Sequence, residues 1–233
     1  MARVGVVIVT YRSAATIGAC VGSLRGASGD PIEIVVVDNA SDDGTVGAAT
    51  SADAGLVVVS RPSNDGYGVA NNAGVAALSP DTEFVVLANP DTVWPAGAID
   101  ALVQNWEPSV GLLSPVLVNR DGSAQAIVED DLTLRRTLLG MTRLAAPVRP
   151  RVPSAAGGLV DVDWVHTAAA VMPVSVFAGI GGFDERFFLF AEDADLCRRV
   201  RASGKRVVVA SEVEVHHAGG ASFDVSGTAD DTA

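Results

Sequence analysis

Four short runs of mostly β-branched residues, each followed by a polar loop and then a helix-like stretch, restrict this chain more than any other feature. They are Val4–Val9, Ile32–Val37, Leu56–Ser60 and Phe84–Ala88. None alternates polar and apolar residues as a half-solvated strand would, so each reads as a strand covered on both faces. Between them, Ser13 or Thr16 can cap a helix that runs to about Leu24 and closes at Gly26. Further helices fit Thr45–Ala52 and Tyr67–Ala77. Strand and helix repeated in this order build an α/β fold: a Rossmann-like, mainly parallel central sheet flanked by helices. Ligands bind such sheets beyond the carboxyl ends of the strands. The loops there are Thr10-Tyr11, Asp38-Asn39, Asn64-Asp65-Gly66 and Asn89-Pro90-Asp91.

The second half is less regular. Val110–Val118 and Ala124–Val128 read as strands joined by a hairpin turn at Asn119-Arg120-Asp121-Gly122. A helix over Leu132–Leu144 and a loop holding Pro147, Pro150 and Pro153 follow. Val162–Met172 contains another strand, Gly179-Ile180-Gly181-Gly182 a turn, and Val207–Ala210 a last strand. Glu192–Ala202 is an amphipathic helix with Leu196 and Val200 four residues apart, stopped by Gly204. No internal repeat or linker divides the 233 residues, so residues 1–223 are expected to form a single domain ahead of a disordered tail over 224–233.

Charge and composition remove several function classes. A net charge of −12 argues against a nucleic-acid binder, which needs a basic surface to neutralise phosphates. No stretch reaches the roughly 18 apolar residues that cross a bilayer. Val4–Val9 is too short for a secretory core and is followed at once by Thr10-Tyr11-Arg12, so the expected location is the cytoplasm. Cys20 and Cys197 are far apart and lack CxxC spacing, which suits buried thiols in a reducing compartment. The segment Leu132–Val160 holds Arg135, Arg136, Arg143, Arg149 and Arg151 and no acid. It is either a solvated basic face or a docking surface for an anionic acceptor or membrane headgroups. Lys205 is the one lysine against fifteen arginines, the usage of a GC-rich bacterial genome.

Four stretches could carry chemistry, and each has a structural reading beside the functional one. Asn89-Pro90-Asp91 puts a carboxylate where the chain leaves a buried strand. It could share a divalent cation with a substrate diphosphate, or simply end the strand in an Asx/Pro turn. Glu192, Asp193 and Asp195 open a helix. They cap free N–H groups and complement the macrodipole, yet their mutual repulsion also tends to raise a pKa toward that of a general base. His216 and His217 precede Ala218-Gly219-Gly220 and could supply one metal-binding imidazole, or nothing beyond a surface pair. Asn64-Asp65-Gly66-Tyr67-Gly68 leads into a helix N-terminus, suited to an anion or to an ordinary cap. Neither GxGxxG nor GxxxxGK[ST] occurs, which leaves a dehydrogenase and a P-loop NTPase unsupported.

The order of these motifs resembles a known family. The runs VVIVTYRS (Val6–Ser13), VVVDNASDDGT (Val35–Thr45), NDGYGVANNAG (Asn64–Gly74) and VVLANPDT (Val85–Thr92) look like family 2 glycosyltransferases with the GT-A fold. GGFDERFFLFAEDADLCRR (Gly181–Arg199) and VHHAGGAS (Val215–Ser222) extend the likeness, with a rhamnosyltransferase flavour, from about Arg3 to Ser222. The resemblance implies a nucleotide-binding part over about 1–92 and an acceptor-side part over about 93–223. Thr10, Tyr11 and Asp38 match residues that hold the donor's base and ribose, and Gly66 and Asn72 match the motif lining the nucleotide pocket. Asp91 matches the metal-binding acid of the DxD motif, here in an NPD variant with Asn89 in place of the first Asp. His217, five residues before Ser222, matches the histidine near diphosphate and metal, and Asp193 matches the catalytic base.

The implied activity is transfer of rhamnose or another hexose from a dTDP- or UDP-sugar, with Mg²⁺ or Mn²⁺, to a glycan, lipid-linked or small-molecule acceptor. Inversion follows from a single displacement. Arg135, Arg136 and Arg143 would give peripheral contact with the inner face of a membrane. Some positions depart from the pattern: Arg12 stands where Asn is common, Thr167 where a small Gly is usual, and Glu129-Asp130-Asp131 replaces a stretch usually basic or proline-containing. Two competing readings are a non-catalytic nucleotide-sugar or glycan-binding module of the same fold, and a nucleotidyltransferase. The second would carry a Gly/Arg/Lys-rich loop after its first strand, which TYRSAAT does not provide.

Overall fold

The computed structural model describes residues 3–104, 106–125 and 157–218. The first half runs β1 (Val4–Thr10), α1 (Ile17–Gly26), β2 (Glu33–Asp38), α2 (Thr45–Ala52), β3 (Val57–Ser60), α3 (Tyr67–Ala76) and β4 (Phe84–Ala88). After it come β5 (Thr92–Val93), α4 (Ala98–Gln104), β6 (Val110–Val118), β7 (Leu159–Asp161) and β8 (Ala169–Pro173). The last three elements are α5 (Val174–Gly179), α6 (Glu192–Ala202) and β9 (Arg206–His217). Among the described residues, nine strands join one sheet in the order β3-β2-β1-β4-β8-β6-β9-β5, with β7 also on β9.

The apolar runs form the strands because both faces of the sheet are covered. Val6 and Ile8 of β1 pack in one core with Ile17, Val21 and Leu24 of α1. Val7 and Val9, pointing the other way, pack with Ala70 of α3 and with Phe183 and Leu196. β2, β1 and β4 are parallel and in register, Val6 lying between Ile34 and Val86. The parallel arrangement expected from the sequence thus holds from β3 to β4. Beyond β4 the sheet is mixed: β8 is antiparallel to both β4 and β6, and β9 is parallel to β6.

That mixture decides where the site sits. Because β8 runs against its neighbours, its amino end meets the carboxyl ends of β1, β2, β4, β6 and β9 along one edge. The Asn89 N–H donates to the Ala168 carbonyl at 2.8 Å across that edge.

Several elements were not legible beforehand. β5, β7 and α5 are two, three and six residues long, too short for a periodic signal. α4 has seven residues and likewise shows under two turns of pattern. The last strand, expected to stop at Ala210, runs to His217 through a register shift between Pro115 and Val116 of its partner. Ser211, Glu212 and Glu214 break the apolar run without breaking the strand, because β6 still pairs with Glu214, Val215 and His216. Of the strand expected over Ala124–Val128, Ala124 makes a single bridge to Val118, and the rest lies outside the described residues. So do the helix expected at Leu132–Leu144, the proline-rich loop, the arginines at 135, 136 and 143, and the tail.

Candidate active site

Thr10 and Asp38 are cross-strand partners at the ends of β1 and β2. Both are buried, and among the described residues the Thr10 hydroxyl and Asp38 Oδ1 find no hydrogen-bond partner. The other Asp38 oxygen accepts from the Ser41 N–H at 3.1 Å, which fixes the carboxylate. Asn39 is buried beside it. Its Nδ2 donates to the Gly66 carbonyl at 3.2 Å, and its Oδ1 has no partner among the described residues. Buried polar atoms are almost always bonded, so these unsatisfied groups, close together at one strand edge, are suited to receive a ligand. Tyr11 is exposed, with the Arg12 guanidinium 5.3 Å from its ring centre. Arg12 is itself held by Asp42 through bonds of 2.9 and 3.0 Å.

Backbone strain collects here as well. Among the described residues, the non-glycines in the left-handed region are Arg12, Ala40, Phe190 and Ala191, all in loops at this edge. Such conformations cost of order 1–3 kcal/mol each and cluster at functional sites. Gly66 has φ of 100°, and a Cβ there would sit 2.5 Å from the Phe188 carbonyl oxygen. Only a glycine lets the 183–191 loop cross at that point, where Tyr67 N–H donates to Phe188 at 3.0 Å. Asn72, on the helix that Gly66 opens, bonds to the same loop. Its amide donates to the Phe183 carbonyl and the Glu185 carboxylate at 3.0 and 3.1 Å and accepts from the Phe183 N–H at 2.9 Å. It clamps the loop to α3.

Asp91 and His217 come together although they are far apart in sequence. β5 pairs with the end of β9, Thr92 opposite His217, which leaves the imidazole Nε2 3.4 Å from Asp91 Oδ1. Asn89 Nδ2 lies 3.5 Å from the same nitrogen. On the far side of the ring, Nδ1 is 3.1 Å from Gln125 Oε1. Strand alternation selects between the two histidines: His216 is exposed and His217 points inward. Among the described residues no three His, Cys, Asp or Glu side chains cluster as a self-sufficient metal site. One carboxylate and one imidazole suit an ion that takes its other ligands from substrate oxygens and water.

The three acids of α6 separate. Asp195 is bonded to Arg198 and Arg199 at 2.8 and 2.6 Å. Burial alone would raise its pKa, and these bonds bring it below the ordinary value. Asp193 accepts the Thr167 hydroxyl on Oδ1, while His166 Nδ1 lies 3.6 Å from Oδ2. The acid with the raised pKa is the neighbour, Glu192. Burial first, then the Asp193 charge, push it up to about 7, and its Oε2 has no hydrogen-bond partner among the described residues. Tyr67 closes the group, its hydroxyl donating to the Thr167 carbonyl at 3.2 Å. Burial, then Asp193, hold that phenol well above its usual range.

Sequence reasoning therefore missed Gln125 and His166 as members of this edge, placed Asn39 and Glu192 there only as parts of a loop and an acid triplet without singling them out, and noted Thr167 only as a departure. Asn39 had a signal, since it directly follows Asp38. Gln125 had none, because its relation to His217 exists only across two strands.

The sequence model of "Glycosyl transferase family 2" matches residues 5–166. The chain is 32% identical, over 91% of its length and 75% of the other's, to N-acetylglucosaminyl-diphospho-decaprenol L-rhamnosyltransferase of Mycobacterium tuberculosis. It is 26% identical to the low-salt glycan biosynthesis hexosyltransferase Agl10 of Haloferax volcanii, covering 91% of this chain and 66% of that one. Among solved structures, mannosyltransferase PcManGT from Pyrobaculum calidifontis, in complex with GDP-Man and Mn²⁺, superposes with a TM-score of 0.68 at 23% identity. That match covers 93% of this chain and 56% of the mannosyltransferase chain. The molecule is thus a glycosyltransferase with the GT-A fold. It belongs to glycosyl transferase family 2.

Proposed function

We propose that the chain moves rhamnose or another hexose from a nucleoside-diphosphate sugar to an acceptor hydroxyl, inverting the anomeric carbon. The observation that carries this is the single edge that holds both the unsatisfied Thr10, Asp38 and Asn39 groups and the Asp91–His217 pair. The first set offers the hydrogen-bonding groups a base and ribose require, with Tyr11 and Gly66 beside them. The second pair, Asp91 and His217, would hold Mg²⁺ or Mn²⁺, and Asn89 adds a polar group next to it. A bound divalent ion supplies Lewis acidity that offsets the charge growing on the leaving diphosphate.

Asp193 is assigned the general base. Thr167 occupies Oδ1, which leaves Oδ2 for the acceptor proton. As the acceptor oxygen forms its bond to C1, the bond from C1 to the diphosphate oxygen breaks on the opposite face and the proton passes to Asp193. No enzyme nucleophile is needed, and the transition state carries oxocarbenium character. A dTDP- or UDP-sugar is the proposed donor. A lipid-linked acceptor is favoured by the name of the mycobacterial relative, and glycans or small alcohols are the other acceptor classes. The proposed location is the cytoplasm, with residues 1–223 acting as one domain and Arg135, Arg136 and Arg143 touching the inner membrane face. Among the described residues no helix is long and apolar enough to cross a membrane.

The test is binding and slow hydrolysis across dTDP, UDP and GDP sugars, with Mn²⁺, with Mg²⁺ and with EDTA. One donor that binds only with metal and releases nucleoside diphosphate supports the assignment. A folded protein silent toward every donor points instead to a binding module.

A further inference from the structure

The turn after β6 ends on Gln125, and its hydrogen bonds have one consistent polarity. Asp121 is its fixed point. Its carboxyl is held below the ordinary range by the Ser123 hydroxyl and N–H, so it is an acceptor only. Ser123 must therefore give its hydroxyl proton to Asp121, at 2.6 Å. The Ser123 oxygen can then only accept, and it does so from Asn119 Nδ2 at 2.9 Å. That turns the Asn119 carbonyl oxygen toward Gln125, whose Nε2 donates to it at 2.9 Å. The same Nε2 donates at 3.1 Å to the His217 backbone carbonyl, a group that has no proton to give. Both contacts orient the Gln125 amide the same way, so Oε1 must face His217 Nδ1, at 3.1 Å. A carbonyl oxygen there requires a proton on Nδ1. In the neutral ring, the bare nitrogen is then Nε2, 3.4 Å from Asp91.

We infer that Gln125 is a positioning residue for His217: it holds the imidazole as the Nδ1–H tautomer and so presents the Nε2 lone pair beside Asp91. The opposite tautomer would set two lone pairs against each other at 3.1 Å. Flipping the amide to relieve that would place its oxygen against the His217 and Asn119 carbonyl oxygens instead. The turn thereby aligns a ligand nitrogen before any ion arrives. This rests on the reading of Asp91 and His217 as the metal-binding pair, and second partners of this kind typically affect metal affinity about 10–100-fold.

Two measurements separate this inference from that reading. The first is ¹H–¹⁵N NMR of His217 in metal-free protein at about pH 8, above the ordinary histidine pKa of about 6.5. Wild type should show Nδ1 protonated and Nε2 bare. Gln125→Leu should show a mixture or the reverse. The second is Mn²⁺ binding followed by electron paramagnetic resonance in the presence of UDP. Here Gln125→Leu should bind about 10-fold or more weakly. A folded Gln125→Leu that keeps both the tautomer and the Mn²⁺ affinity overturns the inference, as does wild type protonated on Nε2. Wild type that shows the Nδ1–H form but binds no Mn²⁺ overturns the metal reading and leaves the positioning intact.

Discussion

Within one helical turn of α6 three carboxylates meet three different environments, and their chemistry follows from the neighbours rather than from residue type. Asp195 is consumed by Arg198 and Arg199, Asp193 meets Thr167 and His166, and Glu192 is buried with no partner for Oε2 among the described residues. Asp193→Asn should lower turnover by about 100-fold or more, the scale of lost general-base catalysis, while donor binding stays within about two-fold of wild type. Steady-state kinetics beside donor titration checks this, and unchanged turnover would remove Asp193 from the role. Glu192 makes a separate prediction about pH. Its pKa is about 7 in the folded chain against 4.5 as its reference value. Between those values the unfolded state has released a proton that the folded state keeps, so this residue makes stability fall as pH rises from about 4.5 to about 7. Glu192→Gln should remove that component. Denaturation midpoints of both proteins from about pH 5 to 8 should then diverge in favour of the variant, and parallel curves would mean Glu192 ionises freely.

At the scale of elements, the small residues of α3 decide how closely that helix lies on the sheet. A Cβ at Gly74 would overlap Val7 Cγ1 and come within 2.9 Å of Val37 Cγ2. Gly74→Ala should therefore destabilise by about 1–3 kcal/mol, because overpacking outweighs the gain of about 1 kcal/mol in helix propensity. Gly22 in α1 is the contrast: it is exposed and a Cβ would meet nothing within 4 Å. Gly22→Ala should stabilise by about 0.5–1 kcal/mol. Urea midpoints of the two variants on opposite sides of wild type would bear out this packing, and two shifts of the same sign would contradict it. Helix starts and strand lengths of the first half were readable because periodicity and turn residues act locally. β5, β7 and α5 were not, since two to six residues carry no period and those segments take their form from the strands beside them.

For the whole molecule, folding stability and site occupancy are linked, because the site is assembled from both halves of the chain. Mn²⁺ with a nucleoside diphosphate at about 100 times its Kd should stabilise the protein by about 2.7 kcal/mol, a rise of roughly 5–10 °C in Tm for a chain of this size. EDTA or Asp91→Ala should abolish most of that rise. An equal shift with and without metal would sink the assignment of Asp91. The sequence by itself determined the alternating strands and helices, the polar loops at the strand ends, the acid triplet of α6 and the family. All of these are written in local spacing or in the order of short motifs. The spacing to Ser222 already favoured His217 over His216; only the tertiary structure decided that its ring lies beside Asp91, that Asn72 clamps a loop, and that burial raises the pKa of Glu192. The same holds for Gln125 and the ring of His217, which lie 92 positions apart. Such pairings depend on strand order, register and burial, and these arise when distant segments pack together, so no local window of the chain contains them.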